Sequence, residues 1–254
     1  METVLLTFAN QLAILELNRP DSLNAMNEQM LTEIMAKLKE VEKSDALILL
    51  MTGKGRGFSA GGDIKTMLNI EDQEKFVNIM ETIKQLIITL YSLPKVVIAA
   101  VHGPAAGLGF SFALASDYLI ATKSARLAMN FIGIGLIPDG GGHFFLEKRL
   151  GEAKAKQLIW QGKTMSAEEA FRIGLVDEIV EDANEIYEKI AQWKTKPLQA
   201  MIETKKIYTE LNKGRLLQAL HLEMIGQQKM RQTEDHREGV RAFLEKRKPN
   251  FSGR

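Results

Sequence analysis

Short apolar runs at Val4–Phe8 and Ala13–Leu17 flank Asn10-Gln11, a turn-like pair, so the chain is predicted to open with two strands. The spacing then changes. Met26, Met30, Ile34, Leu38 and Val41 share one helical face. Leu47–Thr52 is an unbroken apolar run ending at Gly53, the pattern of a buried strand. Met67–Leu90 returns to helical spacing, with a break expected around Glu71-Asp72, and Pro94 precedes a second buried strand at Val96–Val101. Strand, helix, strand, helix, strand predicts an α/β fold with a largely parallel sheet covered by helices.

From Ala183 onward apolar positions recur at helical spacing with few strand signals. Ala200–Leu211, Leu216–Met230 and Arg237–Arg247 read as three helices, with boundaries at Gly214 and at Thr233-Glu234-Asp235. The expected organisation is a core over 1–195 and a helical region over 196–254, the kind of tail that packs on a neighbour.

Composition narrows the picture by exclusion. A chain of 254 residues, 45% hydrophobic, can build one large domain with a full core, or one domain with a helical appendage. Lys+Arg of 33 against Asp+Glu of 32 gives no reason to expect nucleic acid or an anionic membrane as partner. The absence of cysteine removes disulfides, thiolate metal sites and a cysteine nucleophile. The first residues begin with an acid and do not read as a signal or transit peptide, and no run reaches the ~20 apolar residues of a membrane span. A cytoplasmic location is expected.

Three glycine-rich segments fall where elements should end: Gly53–Asp63, His102–Gly109 and Gly133–Gly142. Glycine permits close backbone approach to a ligand, and a loop turning into a helix exposes unpaired N–H groups. Two such loops facing each other could give two donors to one oxygen, the geometry of an oxyanion hole. Ordinary tight turns read the same way. Neither a Walker A loop nor the full dinucleotide fingerprint is present.

Several segments carry a family resemblance: LNRPDSLNAMN at Leu17–Asn27, GFSAGGDI at Gly57–Ile64, PKVVIAAVHGPAAGLGFSFALASD at Pro94–Asp117, GLIPDGGG at Gly135–Gly142 and REGVRAFLEKRKPNF at Arg237–Phe251. In this order, over the whole chain, they resemble the crotonase (enoyl-CoA hydratase/isomerase) family. The resemblance implies a crotonase-type spiral of ββα units with a C-terminal helical trimerisation region, a homotrimer or a hexamer built as a dimer of trimers, and an acyl-CoA thioester as ligand. No separate cofactor is implied, because coenzyme A is part of the substrate. By matching positions, the amides of Ala60 and Leu108 should form the oxyanion hole. Leu108 stands where glycine is common, so its side chain must point away from the thioester. Ser22, Leu23 and Ala25 match the adenine and pantetheine path, Ala60, Gly61, Gly62, Asp63 and Ile64 the strip beside adenine and thioester, and Phe243 and Lys246 positions that reach a neighbouring subunit's CoA.

The hydratases of that family use two glutamates, one to deprotonate water and one to deliver a proton. Their positions fall here at Ser111 and Phe131, neither of them acidic. One carboxylate remains, Asp139, which resembles the aspartate of the 1,2-epoxyphenylacetyl-CoA isomerase branch. One carboxylate suffices for a 1,3 proton shift, and an apolar lining from Phe131, Ile132 and Ile137 would make it a better base. The competing role for Asp139 is an N-cap of the helix after Gly142. Alternatives left open are hydration, another crotonase reaction (thioester hydrolysis, dehalogenation, decarboxylation), or acyl-CoA or RNA binding without catalysis.

Among other candidates, His102, His143, His221 and His236 offer no metal-site spacing, so no metal is expected. His143 reads as a first-turn helix residue. Ser111 lacks the GxSxG context of a nucleophile and is placed on a helix beside the acyl pocket. Asp63 is expected to hold its loop, Lys54 and Arg56 either meet phosphates or stay solvated, and Lys205-Lys206 is too sparse for an RNA helix.

Overall fold

A computed structural model describes residues 2–63 and 73–254. The first strands are β1 (Val4–Ala9) and β2 (Leu12–Leu17), paired antiparallel. Asn10 and Gln11 between them take φ of 48° and 66°, as a tight hairpin whose turn twists with its strands requires. Beyond β2 every pairing in the main sheet is parallel: β3 (Ile48–Gly53), β4 (Val96–Val101), β6 (Tyr118–Thr122) and β9 (Glu178–Val180), in the order β1-β2-β3-β4-β6-β9. The unbroken apolar runs of β3 and β4 are explained by burial on both faces. Leu49, Met51, Val97, Ala99 and Val101 point into the main core, while Ile48, Leu50, Val96, Ile98 and Ala100 meet Ile186, Ile190, Leu198 and Ile202 on the other side.

A second sheet stacks short strands in the order β5 (Pro104–Ala106), β7 (Arg126–Ala128), β8 (Thr164–Ser166), and a parallel bridge joins Ser59 to Ala105 at its near edge. Each turn of the chain thus lays down a long strand, a short strand and a helix. After β3 and Ser59 comes α2 (Gln73–Ser92), and after β4 and β5 comes α3 (Leu108–Leu114). After β6 and β7 come a 3-10 turn at Ile132–Ile134 and α4 (Gly142–Leu150). This is the ββα spiral the motifs imply.

Helix α1 (Glu28–Lys43) starts where Asn27 accepts a bond from the Met30 amide (3.0 Å), and it buries Met30, Leu31, Ile34, Leu38 and Val41. The expected start of α2 near Met67 and its break at Glu71-Asp72 lie outside the described residues. Helices α5 (Glu152–Gln161) and α6 (Ala167–Arg172) flank β8, and α7 (Ala183–Lys194) follows β9.

The C-terminal region departs from expectation. Ala200–Leu211 and Leu216–Met230 are one helix, α8 (Leu198–Met230), of 33 residues running through Gly214. An isolated helical glycine costs only about 1 kcal/mol, and a continuous buried stripe outweighs it: Leu198, Ile202, Thr209, Asn212, Leu216, Leu220, Glu223 and Gln227. Lys205 turns inward and donates to Asp117 Oδ2 (2.8 Å) and to the Lys95 carbonyl (3.1 Å), which ties α8 to the edge of β4. A short turn leads to α9 (Glu234–Leu244), capped by Thr233. Among the described residues no helix is long and apolar enough to cross a membrane.

Candidate active site

The site begins with the clasp between two loops. Asn24 is buried with φ of 54°; its side chain accepts from the Arg19 amide (2.8 Å) and donates to the carbonyls of Lys54 (2.9 Å) and Gly57 (2.8 Å). Arg19 Nη1 donates to Asp63 Oδ2 (3.0 Å) and to the Ala25 carbonyl, so Asp63 has the holding role expected of it. These bonds lay Gly57–Asp63 alongside Leu23–Met26. The Met26 amide donates to Gly61 O (2.7 Å) and the Asp63 amide to Met26 O (3.0 Å). In such a parallel bridge Met26 uses both of its own backbone groups, and the facing Gly62 directs its N–H the other way.

This register corrects the expected oxyanion donor. The Ala60 amide donates to Leu23 O (2.8 Å), and Ala60 is exposed. Two residues on, Gly62 lines a cavity together with Leu108, Phe131 and Asp139. Leu108 carries the first amide of α3, entered through Gly107 at φ 51°. Among the described residues neither the Gly62 nor the Leu108 amide has a hydrogen-bond partner. They are brought together by Gly61, at φ 98°: a methyl group there would stand 2.7 Å from Ala106 O and 3.5 Å from the Leu108 nitrogen. The sequence holds the signal, since residues alternate sides along an extended strip, but the register could not be read without Met26.

Asp139 is 2% exposed, and it lines the same cavity. Among the described residues its Oδ1 has no partner, and Oδ2 receives one long bond, 3.4 Å from Gln227 Nε2. Burial first, and the Glu223 charge second, push its carboxyl up to about 8. It does not cap α4. The amides at that helix start belong to Glu223 of α8, whose Oε2 accepts from Gly141 N–H (2.7 Å) and Oε1 from His143 N–H (3.0 Å). His143 Nδ1 lies 2.8 Å from the same Oε1, so His143 is the first-turn residue expected, paired with Glu223. Ser111 is fully buried on α3 and donates to the Asp139 backbone carbonyl (2.7 Å), which fixes the loop that carries the carboxylate. Phe131 is 8% exposed and covers Gly107 beside the Leu108 amide.

The apolar lining differs from expectation beyond Phe131. Ile132 and Ile137 are not in the cavity wall, and Ile137 packs against Gly226 of α8. The wall comes from α2 instead, through Phe76, Ile79, Met80 and Ile83. Ser22, Leu23 and Ala25 lie half-buried in the clasp, next to the cavity residues Met26 and Asn27. Ile64 lies outside the described residues. Phe243 is exposed near the end of α9 and Lys246 just beyond it, and neither lines the cavity. Glu223 and Gln227 were not anticipated. Their signal was present: they continue the Leu216, Leu220 stripe at spacings of three and four, where apolar residues belong. No group of three metal-ligating side chains occurs among the described residues.

A family model described as enoyl-CoA hydratase/isomerase matches residues 7–254. The chain belongs to the enoyl-CoA hydratase/isomerase family. It is 51% identical over 256 residues, 99% of each chain, to YhaR of Bacillus subtilis (strain 168), whose name goes no further than this family. It is 36% identical over 262 residues, all of both chains, to the 1,2-epoxyphenylacetyl-CoA isomerase of Escherichia coli (strain K12). Its fold matches the crystal structure of an enoyl-CoA hydratase from Mycobacterium avium subsp. paratuberculosis K-10 with a TM-score of 0.88, at 31% identity and 98% coverage of both chains. The fold is therefore of the crotonase type, and the enoyl-CoA hydratase/isomerases act on acyl-CoA thioesters.

Proposed function

We propose that this protein is an enoyl-CoA isomerase that moves a double bond of an enoyl-CoA thioester, with Asp139 as acid and base. The observation that carries the reading is a buried carboxylate with an unpartnered oxygen, lining one cavity with two unpartnered amides. The thioester carbonyl sits between Gly62 N–H and Leu108 N–H, which receive the charge that develops on its oxygen. Asp139 takes a proton from C2 of a 3-enoyl group. The C2–H electrons form the C2=C3 bond, the former C3=C4 pair accepts the proton at C4, and Asp139 returns to its carboxylate. One proton leaves and one returns, so no cofactor is consumed.

Hydration of a 2-enoyl group asks for more: one group to deprotonate water and another to protonate C2. Ser111 and Phe131 stand at the positions of the family's two glutamates, and Ser111 already donates to Asp139 O. The apolar wall of α2 and Phe131 disfavours a bound water beside the carboxylate. Coenzyme A enters as part of the substrate. The reading extends to a homotrimer or dimer of trimers in the cytoplasm, with Phe243 and Lys246 reaching the CoA held by a neighbour.

The test offers purified protein 3-hexenoyl-CoA and crotonyl-CoA and follows product mass. A 2-enoyl product of unchanged mass, with crotonyl-CoA left intact, is expected. Rapid addition of one water to crotonyl-CoA would sink the isomerase reading in favour of hydration. Loss of the thioester or of carbon dioxide would replace it with another reaction of the family.

A further inference from the structure

Glu223 is a buried charge with no place in the proton shift itself. It is 2% exposed, as deep as Asp139, and sits on the long C-terminal helix rather than on the spiral that forms the cavity. Its carboxylate accepts from two amides at the start of α4 and pairs with a histidine nitrogen. The segment Pro138–Gly142 explains why such a residue matters. Helix α4 starts from Gly141, at φ 80°, which has no side chain to cap with. Three residues before Gly142 stands Asp139, an able capping residue with a free oxygen. Left without Glu223, the amides of Gly141 and His143 would be buried donors without an acceptor, and the Asp139 carboxylate is a nearby one in chain order.

We infer that Glu223 is a positioning residue for Asp139: by capping α4 from the C-terminal helix it keeps the Asp139 carboxylate out of the cap and facing the cavity. Gln227, one turn on, completes the hold by donating to Ile137 O (2.5 Å) and to Asp139 Oδ2 (3.4 Å). The two side chains clamp the loop from both ends, at Ile137–Asp139 and at Gly141–His143. The C-terminal helix is in this way part of the catalytic loop's support. The inference rests on the isomerase reading of Asp139.

Among the described residues the charges around Asp139 are few. Glu223 comes from α8, with His143 of α4 bonded to it. Across the cavity lie Asp63, paired with Arg19, and Glu28 of α1, paired with Lys75. Glu223→Gln removes the negative charge and offers the helix amides one acceptor oxygen instead of two. The released amide draws Asp139 toward the cap, and both changes favour the Asp139 carboxylate over its acid form.

The experiment measures kcat, KM and the pH profile of kcat on 3-hexenoyl-CoA for wild type, Glu223→Gln and Asp139→Asn. Glu223→Gln is expected to lower kcat at least about tenfold with KM within about threefold, and to move the profile's midpoint to lower pH. A Glu223 that acts on Asp139 only through its charge would move that midpoint and leave the plateau kcat unchanged, which would overturn the inference. If Asp139→Asn is inactive while folded Glu223→Gln keeps the wild-type kcat and midpoint, this inference falls and the isomerase reading stands. If Asp139→Asn keeps full turnover, the reading itself falls, whatever Glu223 does. Should Glu223→Gln not fold, Glu223→Asp is read by the same criterion. Its shorter arm keeps the charge but withdraws from the amides, so a lowered kcat at steady KM supports the inference and an unchanged kcat overturns it.

Discussion

Asp139 and Glu223 are both 2% exposed, and the two regions that carry them treat a buried carboxylate in opposite ways. On α8, Glu223 is met by the amides of Gly141 and His143 and by the His143 ring, so its charge is matched by donors at a helix start. On the loop before α4, Asp139 has one distant amide hydrogen and one oxygen with nothing bonded to it. A buried carboxylate that is fully dressed stabilises structure, and one left undressed is available for chemistry at the expense of stability. Two acidic groups in neighbouring positions can thus do different work.

The largest effect should come from removing the undressed member. Asp139→Asn is expected to lower isomerase kcat by about 10²- to 10⁴-fold, read as 2-enoyl product formed per enzyme. Full turnover by this variant would break the contrast at its functional end. Next is the pair of open amides. Leu108→Pro removes one N–H at the first position of α3, where proline is tolerated, and should cost about 3–4 kcal/mol of transition-state stabilisation, a several-hundred-fold fall in kcat/KM. Circular dichroism unchanged from wild type would confirm that α3 still forms.

A third effect concerns pH. With its pKa raised to about 8, Asp139 in the folded protein keeps a proton that the unfolded chain, near 3.8, has already released. Stability attached to this group is complete below the lower value and is lost as pH rises through the upper one. Asp139→Asn should therefore match wild type in unfolding free energy near pH 4 and exceed it by a few kcal/mol at pH 9. Equal denaturant midpoints at both pH values would show that Asp139 is not held in its acid form. The same shift predicts that wild-type turnover rises with pH, about tenfold per unit, and levels off above about 8, because proton removal needs the carboxylate. The smallest effect lies outside the comparison and serves as its control. Gly214→Ala, in the exposed interior of α8 with nothing within 4 Å of the added methyl, should raise stability by up to about 1 kcal/mol and leave kcat alone.

Much of the fold was legible because its signals are local. Asn10-Gln11 marks its hairpin by the turn residues themselves, the stripe from Met26 to Val41 marks α1, and the runs Leu47–Thr52 and Val96–Val101 announce strands buried on both faces. Gly214 misled for the same reason. A local helix-breaker is weighed locally, whereas the stripe that carries α8 past it is stabilised by distant parts of the chain. The site was half legible. Asp139, Leu108, Ser111 and Phe131 could be named from their motifs. That the Ala60 amide is spent on Leu23 O was not legible, because the direction of an amide depends on which residue of Leu23–Met26 it pairs with.

The order of elements, the parallel sheet, the glycine loops and a lone acid in GLIPDGGG follow from the amino-acid sequence, since each rests on hydrophobic period, turn preference or motif. What the tertiary structure alone decided is which polar groups are left without partners. Glu223, 84 positions beyond Asp139 in the chain, takes the amides that Asp139 could have capped, and Met26 turns Gly62 rather than Ala60 toward the cavity. Hydrogen bonding is a competition for a limited set of acceptors and donors. Its winners are settled by which segments meet in space, and that is information no stretch of neighbouring residues contains.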